Sequence, residues 1–181
     1  MPSLCSKALT VDVRLFIIGT SHTIQCGNDG VNSPVKRATF AAELRHVCKH
    51  HQIARIAEEM SKAGLKHQGV KRTVGAQIAK KLGIAHHHVD MEPKERAALS
   101  LDDGPMLNCI MNNGLRDGGR FRDAFTNLGD AVRERCWIGR ILARSEWPAL
   151  FVCGSDHATS VARLWRSLRL PLVIVHRDYE P

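Results

Sequence analysis

Residues 15–25 read LFIIGTSHTIQ and residues 150–160 read LFVCGSDHATS. Each begins as an unbroken aliphatic run and closes on Gly-x-x-His, as GTSH from Gly19 to His22 and as GSDH from Gly154 to His157. A run without apolar–polar alternation reads as a strand covered on both faces, as in parallel sheets flanked by helices. The glycine after each run lets the backbone turn sharply or lets a ligand come close.

Outward from these phrases the chain keeps alternating. Arg14–Ile18 is the first strand, and residues 25–38, rich in Gly, Asn, Ser and Pro, read as a loop. Phe40, Leu44, Val47 and Cys48 share one face of a helix. Ile53–Ala57 is a second strand that runs into Glu58 and Glu59. Thr73 caps a helix carrying Val74, Ile78 and Leu82, and Gly83 stops it. Ile84–Asp90 is a third strand, Glu95–Leu99 belongs to a helix, and Asp130 caps a helix over 131–144. After Pro148, Ala149–Cys153 is a strand. Ser155 or Asp156 then starts a helix with the stripe Val161, Leu164, Trp165 and Leu168, and Leu172–Val175 ends the series.

This order predicts a single-domain α/β sandwich over residues 1–181, with a mainly parallel central sheet flanked by helices. Residues 1–13 form a loose lead-in. The glycine-rich segment 102–120 is expected to be a long loop or mobile lid near a site.

Composition narrows the function classes. With 181 residues, 44% of them hydrophobic, the chain can bury one real core. No stretch approaches the ~18 apolar residues of a membrane helix, and the N-terminus lacks the pattern of a signal peptide. The six cysteines fall singly with no CxxC pair, which predicts reduced thiols and a cytoplasmic protein. A net charge of +8 allows an anionic partner such as nucleic acid, but one Tyr and five Phe make a poor stacking platform for single strands. Phosphate-cradling loops of the P-loop and GxGxxG kinds are absent, and neither GTSH nor GSDH is a GxSxG nucleophile elbow.

In an open parallel sheet, ligands gather beyond the carboxyl ends of the strands. The strand ends deliver His22 and His157, then Glu58 and Glu59, then Asp90, so two imidazoles and two or three carboxylates converge on one rim. Two histidines and a carboxylate with an open position suit a catalytic divalent ion such as zinc, manganese or iron. Other groupings read as surface. His46 and His50 lie four apart on a helix without the HExxH glutamate. His86, His87 and His88 alternate sides of a strand, so at most two can converge. Arg163, Arg166 and Arg169 follow the spacing of one solvated helix face.

The GTSH and GSDH motifs, the AEEM stretch at 57–60, the acid-then-arginine segment VDMEPKER and the RERCW stretch at 133–137 resemble the TraB/Tiki group. There is looser similarity to erythromycin-esterase-like and ChaN-like proteins. The order of the pieces matches from about residue 14 to residue 176. The resemblance implies metal-assisted hydrolysis of an amide or ester in a peptide or small molecule. It implies His22, His157 and Glu59 (or Glu58) as metal ligands, with the second glutamate or Asp90 as general base. Arg96 and Arg135 would orient the substrate or stabilise an oxyanion, and Glu134 would fix one of those arginines. A reading of another class is a basic regulatory or interaction domain that binds nucleic acid or an anionic ligand without catalysis.

Overall fold

The computed structural model describes residues 13–28, 33–99, 101 and 118–181, with the backbone alone at 33 and 118–127. Its five strands are β1 (Leu15–Thr20), β2 (Arg55–Glu58), β3 (Ala85–His88), β4 (Ala149–Gly154) and β5 (Leu172–Tyr179). Its helices are α1 (His22–Cys26), α2 (Ser33–His50), α3 (Lys62–His67), α4 (Val74–Leu82), α5 (Pro93–Ala98), α6 (Gly118–Leu142) and α7 (Ser155–Ser167). The strands form one sheet in the order β3-β2-β4-β1-β5, and every pairing is parallel. The expected α/β architecture with a parallel sheet is therefore present.

The two phrases are neighbours. β1 and β4 pair from Leu15↔Ala149 to Thr20↔Gly154 inside the sheet, so both Gly-x-x-His segments leave its carboxyl edge side by side. Their aliphatic runs are continuous because both faces are covered. Leu15, Ile17, Phe151 and Cys153 pack with Trp137, Ile141, Val161 and Trp165 of α6 and α7. Phe16, Ile18, Leu150 and Val152 pack with Ile24, Phe40, Leu44 and Ile78 of α1, α2 and α4. At ~25 cal/mol per Å² of apolar surface, these two layers are the main source of folding free energy.

The glycine of the first phrase answers a packing demand. A Cβ on Gly19 would fall 2.1 Å from the Arg177 carbonyl oxygen and 2.9 Å from Ala158 Cβ. Helix starts follow the expected chemistry elsewhere: Ser21 caps α1, and Thr73 caps α4 by accepting from the Ala76 N–H at 3.0 Å. Gly83 closes α4 in the left-handed region at φ 68°.

Several boundaries differ from expectation, and the expected loop 25–38 is cut short because α2 already begins at Ser33. Asp130 does not cap a helix, because α6 begins at Gly118 and carries Asp130 in its interior. Apolar residues at 121, 125 and 128, ahead of the expected start, already lead into 132 at helical spacing in the sequence. The lid segment 102–120 is divided: 102–117 lies outside the described residues and 118–120 belongs to α6. β5 runs on to Tyr179 past its aliphatic part, since an edge strand tolerates the polar HRDY.

The described cysteines 26, 48, 136 and 153 are free thiols. His46 and His50 stack 5.7 Å apart on an exposed helix face. Arg163 and Arg166 are exposed on α7, while Arg169 lies beyond its end with a positive φ of 59°. No described helix is long and apolar enough to cross a membrane.

Candidate active site

Glu59 is the centre of the rim. It follows β2 directly, its N–H still bonds Val152 O at 2.8 Å, and its side chain is 1% exposed. The carboxylate is held from several sides. Oε2 accepts from the Gly154 N–H at 2.7 Å, and Oε1 accepts from Arg133 Nη2 at 3.0 Å. His22 Nε2 and His157 Nε2 each lie 3.7 Å from that same Oε1. The second glycine thus serves the site through its amide, which becomes free as β4 turns into α7.

Glu134 on α6 reaches across to α7. Its Oε1 accepts from His157 Nδ1 at 2.9 Å and from the Ser160 hydroxyl at 2.5 Å. An ionised carboxylate can only accept, so the proton of a neutral His157 sits on Nδ1 and its lone pair on Nε2, toward Glu59. The Trp137 ring meets the imidazole edge-on, with centroids 5.0 Å apart. Burial opposes charge on His157, yet the Glu134 hydrogen bond and the Glu59 charge together raise its pKa above the ordinary 6.5.

That direction sets a pH dependence. A raised folded pKa contributes stability that is fully present below 6.5 and is lost as pH rises through the folded value. Glu134→Gln should therefore destabilise the chain more at about pH 5.5 than at about pH 9. Denaturant melts at the two pH values, with an NMR titration of His157, check this. An equal loss at both would show that the imidazolium is not what Glu134 stabilises.

Asp90 follows β3 and is 7% exposed. It accepts from Trp137 Nε1 at 2.9 Å, from Arg133 Nε at 3.2 Å, and from Arg96 on α5. Burial alone would raise its pKa, but the charge and hydrogen bond of Arg133, then Trp137 and Arg96, bring it below the usual value. Arg133 is the hub of this side. Its guanidinium spans Glu59, Asp90 and Asp130 and lies 4.9 Å from the Trp137 ring centroid. Burial works against its charge, but Asp90 first, then Glu59 and Asp130, raise its pKa.

The structure thus brings together His22, Glu59, Asp90, Arg96, Glu134 and His157. It separates two other expected residues. Glu58 points to the opposite sheet face, as successive strand residues must, where it accepts from the Thr73 hydroxyl and sits 2.6 Å from His86 Nε2. Arg135 is exposed and donates to Ala131 O of its own helix at 2.9 Å. The arginine that α6 brings to the site is Arg133, which the motif resemblance passed over. A signal for it existed: Arg133 precedes the buried Trp137 and Ile141 by four and eight residues, on the inward stripe of α6. Glu134 fixes His157 instead of an arginine.

A cleft of about 440 Å³ opens on this cluster, walled by His22, Glu59, Asp90, Arg96, Arg133 and His67. The donor set of His22, Glu59 and His157 suits a divalent ion chemically, but the oxygen that both imidazoles face already bonds the cationic Arg133 guanidinium at 3.0 Å, whose charge opposes a second cation there. Among the described residues, the group whose ligand atoms all meet within 4.8 Å is Glu58, His86 and His88. As expected of a strand, His86 and His88 share a side there.

No protein-family model matches the chain, and neither does any curated protein or solved structure. The likeness to the TraB/Tiki group therefore rests on the short motifs alone. Fold and site define the class in their own terms. This is an all-parallel α/β domain with an arginine-bridged cluster of carboxylates and imidazoles at the carboxyl edge of its sheet.

Proposed function

We propose that this chain is a hydrolase that cleaves an amide or ester bond in the cleft beside Glu59. The observation that carries the reading is the pair of imidazoles, each 3.7 Å from one buried carboxylate oxygen. That distance is too long for a direct hydrogen bond. It suits a bridging water, which can sit about 2.8 Å from the carboxylate and from an imidazole together. Glu59 Oε1 accepts one hydrogen of that water. His157, fixed by Glu134 with its lone pair on Nε2, removes the other proton as the water attacks the carbonyl carbon. Glu134 then stabilises the imidazolium, and the proton passes to the leaving amine or alcohol. Arg96 lines the cleft and is paired with Asp90 through Nη2. In this reading its guanidinium receives a substrate carboxylate or the developing oxyanion.

The first test is hydrolysis of p-nitrophenyl acetate and of a mixed peptide library by the purified chain and by Glu59→Gln. Glutamine keeps the shape but offers one acceptor oxygen and no charge, so turnover should fall at least ~100-fold. The chain carries ten histidines, several on the surface, and free imidazoles cleave activated esters slowly. The variant retains all of them, so equal rates for parent and Glu59→Gln would mean that the cleft does no chemistry. Binding of an anion with no turnover of any ester or amide would favour a regulatory domain instead.

A further inference from the structure

The histidine run of β3 is left unused by the rim. Glu58 pairs in register with His88, and Ile56 with His86, so Glu58, His86 and His88 share the sheet face packed against α4. Their ligand atoms all lie within 4.8 Å of one another. His86 Nε2 is 2.6 Å from Glu58 Oε2, and the two histidine rings stand edge to face with centroids 4.9 Å apart. Glu58 is fully buried, yet its Oε1 has no hydrogen-bond partner among the described residues, and neither does the buried His88 Nε2. A buried carboxylate oxygen and a buried imidazole nitrogen left unpaired are each unfavourable, and they belong to two residues of this one cluster.

We propose that Glu58, His86 and His88 bind a single divalent ion of the zinc class. Two imidazoles and one carboxylate are a common zinc donor set, with the fourth position left to water. Nitrogen-rich ligation also selects against calcium and magnesium, which take oxygen. An outer partner is in place, since the Thr73 hydroxyl, which caps α4, donates to Glu58 Oε2. Gly75 makes room for the carboxylate: a Cβ there would fall 2.7 Å from Glu58 Oε1.

The ion would tie edge strand β3 to β2 at their carboxyl ends. Glu59 is the next residue after Glu58, and Asp90 is two after His88. The Val89 N–H already bonds Glu58 O at 2.9 Å. Metal occupancy would therefore steady the two acids of the cleft from behind, without contact with substrate. The proposal does not depend on the hydrolase reading, because it concerns another set of side chains.

Calorimetric titration of the chelator-stripped full chain with zinc sulfate tests it. About one zinc per chain is expected. His86→Ala and His88→Ala should each raise the dissociation constant by more than ~10-fold, since loss of even an outer-shell partner costs 10–100-fold. Gly75→Ala keeps all three ligands but drives a methyl against Glu58, and should weaken zinc as well. His22→Ala and His157→Ala should bind as the parent does. Circular dichroism without metal shows whether each variant is folded. Should a histidine variant fail to fold, Gly75→Ala and the visible spectrum of the cobalt-loaded parent carry the test, with low-coordinate nitrogen–oxygen ligation expected. Absence of stoichiometric zinc overturns the proposal. So does binding that survives in folded His86→Ala and His88→Ala, or that disappears in His157→Ala.

Discussion

Arg133→Met is expected to cost about 3–5 kcal/mol, the usual penalty for removing one partner of a buried ion pair. Methionine keeps most of the aliphatic stem, so the loss is electrostatic. It would leave Glu59, 1% exposed, and Asp90, 7% exposed, facing each other's charge without the guanidinium that bridges them. Arg96 still reaches Asp90, but among the described residues no other arginine is bonded to Glu59. Asp90 should then lose its lowered pKa, because Arg133 is the leading cause of that lowering against burial. The matched control is Arg135→Met, two residues on, whose exposed side chain bonds, among the described residues, its own helix; it should stay within about 0.5 kcal/mol of the parent. Urea melts of the two variants make the comparison. Equal effects would mean that the bridge over Glu59 and Asp90 contributes nothing to the fold.

His157→Ala is expected to lower kcat/KM by about 10²- to 10⁴-fold on any ester or amide the chain turns over, the range for loss of a positioned general base. The fold should survive. Glu134 keeps its hydrogen bond from Ser160, so the truncation leaves no bare carboxylate behind, and the stability cost should be about 1–2 kcal/mol. His22→Ala should be milder, because that imidazole is 44% exposed and has no carboxylate fixing its second nitrogen among the described residues. Steady-state kinetics with parallel thermal melts separate chemistry from folding. A fall in rate matched by a fall in folded fraction would reduce His157 to a packing residue. A rate that stays flat in a well-folded variant would remove it from the mechanism.

The architecture was readable because it depends on short-range patterning. Aliphatic runs, a capping Thr73 and a terminating Gly83 are decided within a few residues, and strand segments alternating with helices leave a parallel sheet as the economical solution. The placement of His22 and His157 together was readable for a related reason, since both follow strands and parallel strands share a carboxyl edge. What failed was what depends on the far side of an element. Asp130 looks like a cap until one sees that α6 is already a helix from Gly118. Polar HRDY looks like a tail until an edge strand gives it a neighbour in β1.

The sequence by itself determined that two glycine-histidine phrases, two adjacent glutamates and an aspartate would stand at strand ends. It could not assign the partners. Glu58 and Glu59 are consecutive, and only the pleat of β2 sends one toward His86 and the other toward Arg133. Arg133 and Arg135 differ by two positions on a helix, about 200° of rotation. Only the seating of α6 on Trp137 and Ile141 decides that Arg133 meets the acids while Arg135 meets water. Side-chain direction in each case is set by which face is buried, and burial belongs to the assembled layers. Chain order brings the chemistry to the rim, and packing selects which groups touch.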